Sequence, residues 1–290
     1  NAQIFSPKVS VIIPVYNDYS RLKNCLSALR KQDYPSDLIE IIVVDNKSNY
    51  IPDWISEQEG IQFLREGNRK SSYAARNTGI RNSSGDILAF IDADCEPCPD
   101  WIQNGVLRFK DKGIEVLAGA IMFTSNGRDT FWEGIDSKMH LQQSINASLG
   151  SATTANLFVR RGVFDQQGLF PEWRSGADSF WVEQYTKGNP LEYEASAVVK
   201  HPKRGFSSLL KKRWRIGYGM AEKALWQKMQ LKTCLKIFFK RLVGLNQNVL
   251  RYFPLISGKK EKCSLYLMVQ ISNFSFVFQS IIQRTRKKPK

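Results

Sequence analysis

Ile87-Leu-Ala-Phe-Ile-Asp-Ala-Asp-Cys-Glu96 is the stretch that decides how this 290-residue chain reads. Five apolar residues, Ile87–Ile91, stop abruptly at two carboxylates one residue apart, Asp92 and Asp94. A run that short and that apolar suits a strand buried on both faces of a parallel sheet. In open α/β sheets ligands sit beyond the carboxyl ends of the strands. Asp-x-Asp at such an end supplies hard oxygen ligands for a divalent cation, and the cation can in turn hold a diphosphate. Taken alone the pair is a weak signal, because acidic pairs are common in solvated loops.

Outward from this strand the pattern repeats. Val9–Val15 predicts a first strand that runs into Tyr16-Asn17-Asp18, and Asp18 or Ser20 is placed to cap a helix over 21–31. Ile39–Val44 predicts a second strand stopped by Asp45-Asn46. Pro52–Glu59 reads as a short helix, Ile61–Arg65 as a third strand, and Ser71–Asn82 as a helix before Gly85 and the strand at Ile87. Strand and helix alternating in this way predict an α/β fold with a mostly parallel sheet and right-handed crossovers. The following part is less regular. Helices are expected over Trp101–Lys110 and Asp178–Lys187. Strands are expected over Glu115–Met122, Leu157–Arg160 and Leu191–Val199, the last delivering His201. A long basic helix is expected from Ser207 to Gln230.

Three strand ends therefore bring Pro14, Tyr16 and Asn17, then Asp45 and Asn46, then Asp92 and Asp94 to one sheet edge. An aromatic ring, carboxylates able to accept base or ribose hydrogen bonds, and a cation site together make a pocket for a nucleoside diphosphate. The first strand is not followed by GxGxxG or by GxxxxGK[ST], so the dinucleotide and P-loop readings lack their fingerprints.

Charge is divided unevenly. Residues 200–290 carry 22 Lys/Arg against Glu222 and Glu261, about +20, whereas residues 1–199 carry 20 against 25 acids, about −5. The two parts face different partners. Cys263–Gln283 is uncharged and long enough for a bilayer span of about 20 residues. Gln270, Ser272, Asn273, Ser275 and Gln279 make it too polar for one. Leu267, Ile271, Phe274, Phe278 and Ile281 instead form one apolar helical face. With Lys259, Lys260 and Lys262 before it and Arg284, Arg286, Lys287 and Lys288 after it, the pattern fits a helix lying in the interface of an anionic membrane, and an ordinary core-packing or dimer helix is the alternative. A basic nucleic-acid-binding protein is the rival, but no reading motif accompanies the charge, and nucleic acid is not the expected partner. Cys95 and Cys98 form a CxxC with no second pair, so a structural zinc site is not expected.

Four blocks carry a resemblance: Val9–Asn17 (VSVIIPVYN), Ile41–Ser48 (IIVVDNKS), Tyr73–Ile80 (YAARNTGI) and Gly85–Asp94 (GDILAFIDAD). In that order and spacing they resemble the GT-A-fold glycosyltransferases of family 2 over roughly the first two hundred residues. The resemblance implies inverting transfer of a sugar from a nucleotide-diphospho-sugar, usually a UDP-sugar, with Mn²⁺ or Mg²⁺ as cofactor. It implies base contacts for Tyr16 and Asp45, a loop shaped by Pro14 and Asn17, and donor contacts for Arg76 and Asn77. Asp92 would lie near ribose and metal, and Asp94 would ligate the metal, completed by His201. The family's Gly-Glu-Asp block reads Gly176-Ala177-Asp178 here, which keeps the Asp as implied base and loses the Glu. Thr154-Ala155-Asn156 resembles a block lining the sugar and acceptor side. Processive members carry Gln-x-x-Arg-Trp. Here Leu210-Lys-Lys-Arg213-Trp214 keeps Arg213 as a candidate diphosphate contact but not the Gln, so transfer of a single residue is expected.

The expected organisation is a GT-A catalytic domain over 1–205, nucleotide-binding in 1–98 and acceptor-facing in 99–205, followed by a basic helical region over 206–290. The expected acceptor is a glycan or lipid-linked hydroxyl. The expected place is the cytoplasmic side of the cell membrane, bound peripherally. A nucleotidyltransferase is the alternative enzyme, told apart by release of pyrophosphate.

Overall fold

The computed structural model describes residues 5–125, 127–243, 255–256 and 258–286. Lys287 and Lys288 of the expected basic flank lie outside the described residues. Eight strands form one sheet: β1 (Val9–Val15), β2 (Ile39–Asp45), β3 (Ile61–Arg65), β4 (Ile87–Ile91), β5 (Glu96–Pro97), β6 (Val116–Thr124), β7 (Asn156–Arg160) and β8 (Glu192–Pro202). Their order is β3-β2-β1-β4-β7-β6-β8-β5. The strands β3, β2, β1 and β4 run parallel. Strand β7 is antiparallel to both of its neighbours, β4 and β6. The helices are α1 (Tyr19–Leu29), α2 (Ser72–Arg81), α3 (Trp101–Arg108), α4 (Phe131–Met139), α5 (Gln143–Ser148), α6 (Arg161–Gln167), α7 (Ala177–Tyr185), α8 (Phe206–Trp226), α9 (Leu231–Val243) and α10 (Lys259–Arg286).

The parallel strands form where the sequence is apolar without interruption. Every residue of β1 and β4 is buried, Pro14 included. Burying a side chain such as Ile12 or Ile13 contributes about 1.5–3 kcal/mol. Leu22, Cys25, Leu26 and Leu29 of α1 join the same core as Val11, Ile13 and Trp101. Helix α2 lies close on β1 because Gly79 leaves room; a Cβ there would stand 2.5 Å from Ile12 Cγ2.

Some local expectations differ. Residues 52–59 form only a 3-10 turn, Asp53–Ile55, and Gly60 at φ +73° turns the chain into β3. Asp18 precedes α1 without capping it, since both of its oxygens bind the Arg21 guanidinium. The turn expected after Leu157–Arg160 is helix α6, and β8 extends through His201 to Pro202. Helices α4 and α5 were not anticipated, although Thr130 and Glu133 form a reciprocal capping box at the start of α4.

The chain divides into two compact units. The first comprises Asn1–Thr124, Leu141–Glu172 and Ala177–Pro202 and contains the sheet. The second comprises Ser125–His140, Trp173–Gly176 and Lys203–Lys290, and its regular elements among the described residues are helices. In the second unit Ile135 and Met139 of α4 pack with Leu209 of α8 and Leu265 and Met268 of α10. Ala221 and Ala224 of α8 pack with Cys234 and Phe276. Helix α10 is long and apolar enough to cross a membrane, but 44% of its most apolar window is buried within the protein.

Candidate active site

The carboxyl end of β4 leads into a tight turn in which the Cys95 amide donates to the Asp92 carbonyl at 3.0 Å. Strand β5 then pairs antiparallel with β8, placing Glu96 opposite Lys200 and Pro97 opposite Val199. That pairing brings His201 beside the turn. His201 Nε2 lies 3.8 Å from Asp94 Oδ2, and Nδ1 lies 2.6 Å from the Pro202 carbonyl. A carbonyl oxygen only accepts, so Nδ1 carries a hydrogen and Nε2 is the nitrogen that faces the Asp94 carboxylate. A carboxylate oxygen and an imidazole nitrogen at this separation are a donor set that suits a divalent cation, and the imidazole is oriented by its other nitrogen as metal-binding histidines are.

Cys95 Sγ belongs to the same cluster, with the three ligand atoms within 4.8 Å of one another. Hard divalent ions favour the carboxylate and imidazole over the thiol. Asp92, expected as a second ligand, is engaged elsewhere: its Oδ1 accepts from Arg76 Nη2 at 2.5 Å. Asp94 instead has the Arg21 guanidinium 3.5 Å away, itself held by Asp18.

Arg76 stands on α2, which starts where Ser71 accepts from the amides of Tyr73 and Ala74. Residues three and four apart share a helix face, so Tyr73, Arg76 and Asn77 emerge together. The Arg76 guanidinium lies over the Tyr73 ring at 5.5 Å. The Tyr73 hydroxyl donates to Asp178 Oδ1 at 2.7 Å. Asp178 sits in the first turn of α7 rather than at its N-cap, just after Gly176 at φ +78°. It is only 6% exposed. Its other oxygen accepts from the Thr154 amide at 2.9 Å and the Thr154 hydroxyl at 3.1 Å, and the Ser179 amide donates to Oδ1 at 2.8 Å. Asp178, Tyr73, Arg76 and Asp92 thus form one chain of contacts.

Several expected ligand contacts have other work. Asp45 is fully buried, accepting from the Tyr19 hydroxyl at 2.9 Å and the Ser48 amide at 3.2 Å. Burial and that carboxylate push the Tyr19 phenol up from its ordinary range. Asn46 is buried, and its Oδ1 accepts from the Ser71 amide at 3.0 Å, which ties β2 to the start of α2. Asn77 gives its amide hydrogens to the Phe170 carbonyl and Glu172 and accepts from the Phe170 amide, so it anchors that loop. Asn156 is fully buried; its amide spans the Ala120 and Ala197 carbonyls at 2.7 and 2.8 Å and accepts from Trp101 Nε1 at 2.9 Å. The side-chain amides of Asn77 and Asn156 thus both serve partners within the fold. Arg213 belongs to the second unit, buried against Met139. Pro14 is buried in β1 opposite Val44.

What remains accessible at the sheet edge is narrower. Tyr16 is 39% exposed, with Lys70 Nζ over its ring at 3.8 Å. Asn17 takes φ +50° and fastens the neighbouring loop through the Ser48 hydroxyl and the Asn49 amide. The Asp92 side chain is 32% and the Asp94 side chain 16% exposed. Tyr73, Arg21, Lys70 and Cys95 were not among the expected site residues. Tyr73 was within reach, since it shares a face of the Tyr73–Ile80 block with Arg76.

The sequence profile described as Glycosyl transferase family 2 matches residues 10–168. This chain belongs to glycosyltransferase family 2. Among curated relatives, Glycosyltransferase AglE of Haloferax volcanii is 37% identical over 246 residues, covering 82% of this chain and 81% of that one. The fold is that of GT-A glycosyltransferases of known structure. A mannosyltransferase from Pyrobaculum calidifontis, PcManGT, solved with GDP-Man and Mn²⁺, superposes with a TM-score of 0.61 at 19% identity, covering 98% of this chain and 89% of that one. Staphylococcus aureus TarS 1–349, solved with UDP, gives a TM-score of 0.54 at 16% identity over 98% of this chain and 93% of that one. The protein is a glycosyltransferase.

Proposed function

We propose that this family 2 enzyme transfers one sugar, with inversion, from a nucleotide-diphospho-sugar to the hydroxyl of a cell-surface glycan or glycolipid precursor. The observation that carries the reading is the contact chain from Asp178 through Tyr73 and Arg76 to Asp92. It ties a buried, four-donor carboxylate to the carboxylates at the end of β4 through one face of one helix. Asp178 takes the proton of the acceptor hydroxyl as that oxygen attacks the anomeric carbon, a contribution on the order of 10²–10⁴ in rate. The incoming hydroxyl replaces one of the donors around Asp178, and the rotatable Thr154 hydroxyl is the one free to leave. Tyr73 and the Thr154 amide keep the carboxylate aimed meanwhile.

Tyr16 and Lys70 offer an aromatic face and a cation to the nucleotide. Arg76 fixes Asp92 so that its outer oxygen faces the ribose. Asp94 and His201 are the residues that would hold Mn²⁺ or Mg²⁺, consistent with the Mn²⁺ in the mannosyltransferase neighbour. When bound, such an ion offsets the negative charge gained by the departing nucleoside diphosphate.

The first test is a binding screen of nucleotide sugars, UDP-sugars leading and GDP-mannose included, with and without Mn²⁺. An Asp178→Asn variant should bind the selected donor as the parent does and turn it over at least 10²-fold more slowly. Turnover equal to the parent would remove Asp178 from the base role.

A further inference from the structure

The helical unit carries an apolar strip that the described residues leave open. On α10, Leu267, Phe274 and Phe278 are 60%, 54% and 51% exposed, and Ile281 continues the line. At 100° per residue these four, with Lys260 and Cys263, fall within roughly 60° of arc. Ile271, expected on the same face, packs inward beside Met268. Two other helices widen the strip. The ring of Phe278 lies 5.8 Å from that of exposed Trp214 on α8. The ring of Phe274 lies 5.4 Å from Phe238, which in turn meets exposed Phe239 on α9 at 5.4 Å.

Cations frame this ridge. Lys232, Lys236 and Lys240 are exposed and share a face of α9 with Phe239, while exposed Lys211 and Arg215 flank Trp214. Residues 200–290 carry only two acids, Glu222 and Glu261, and Glu261 is paired with Lys138, so the cations outnumber them by far.

We infer that this ridge is a docking surface for an anionic lipid bilayer. The aromatic side chains enter the boundary between headgroups and acyl chains, and the lysines lie over lipid phosphates. Charge selects this occupant over a second copy of the chain, because each copy carries +15 and two such ridges would repel. Nucleic acid would accept the lysines but leave Leu267 and Ile281 with nothing apolar to meet. The helix lies on the bilayer rather than across it, because its opposite side is built into the unit. Gln270 donates to the Arg241 carbonyl, Asn273 to Gln270, and Ser275 to the Trp214 carbonyl. The surface would hold the enzyme peripherally on the inner face of the membrane, and it stands independently of the donor chemistry.

Flotation of the full chain with vesicles of phosphatidylcholine, with and without phosphatidylglycerol, tests this directly, with no donor present. The chain should float with the anionic vesicles, and F274S/F278S should lower the bound fraction about tenfold. K232E/K236E/K240E should abolish the preference for anionic lipid. Circular dichroism checks that each variant folds, and the lysine variant decides the matter if the phenylalanine variant does not. Bimane attached to the exposed Cys263 should shift to the blue on vesicle binding. Absence of flotation, equal flotation of the parent and F274S/F278S, or a dimer that F274S/F278S dissociates would each overturn the inference.

Discussion

Tyr73 reaches from α2 to Asp178 on α7, its hydroxyl donating to Oδ1 at 2.7 Å. The two residues are 105 positions apart, so the bond fixes the proposed base to the same helix that carries Arg76. Tyr73→Phe deletes the donor and keeps the ring. The expected result is a drop in kcat of about tenfold with KM for the donor nearly unchanged, because the ground-state pocket is intact. Thermal unfolding should shift by only about 1 kcal/mol. A variant with unaltered kcat would mean that the hydroxyl does not position Asp178.

The two carboxylates after β4 are expected to behave differently. Asp94 faces His201, whereas Asp92 is held by Arg76. Asp94→Asn should weaken Mn²⁺ binding at least tenfold, read by calorimetry or by the paramagnetic broadening of bound Mn²⁺. Asp92→Asn should affect Mn²⁺ much less and nucleotide affinity more. Equal losses of metal affinity in both variants would defeat the distinction.

Asn156 is expected to matter for folding rather than for donor recognition. Asn156→Ala strands the Trp101 indole N–H and the Ala120 and Ala197 carbonyls in the interior. A loss of about 3 kcal/mol in unfolding free energy follows. Donor affinity of the folded variant should match the parent; a selective loss of donor affinity with stability intact would return Asn156 to the sugar site.

A pH dependence should arise in the helical unit. Burial pushes the Asp136 carboxyl up, but His140, Lys212 and Arg204 facing it more than offset that and set it at about 2. The ordinary value is 3.8, so the folded state binds its proton later than the unfolded chain does. The contribution to stability is therefore complete above about pH 4 and fades as pH falls toward 2, amounting to on the order of 2 kcal/mol. Unfolding of the parent and of Asp136→Asn, followed against pH, should converge over that window. Curves that stay parallel would rule out Asp136 as the source.

The sheet was legible because β1 and β4 are apolar on both faces, a pattern that few alternatives produce. The Asp-x-Asp turn was legible because it directly follows such a run, and His201 because the short apolar stretch Ala197-Val198-Val199 lies just before it, although β8 continues past it to Pro202. The polar residues were read less well. Asn77, Asn156 and Asp45 have the chemistry of ligand contacts, yet they serve carbonyls, an indole and a phenol inside the fold. Only tertiary placement decides which use an amide finds. Helix α4 was missed although Thr130 and Glu133 spell a capping box, because it is only nine residues long and Gly134 interrupts the face made by Phe131, Trp132, Ile135 and Met139. Arg213 was read from a short motif, and the motif says nothing about which unit receives it.

Helix α4 comes from the middle of the chain, yet Ile135 and Met139 pack with α8 and α10. The tail is therefore not a detachable cassette. A fragment that stops near residue 205 would leave those two side chains bare and invite aggregation. Anyone grafting this C-terminal part onto another enzyme of the family would need to transplant residues 125–140 with it.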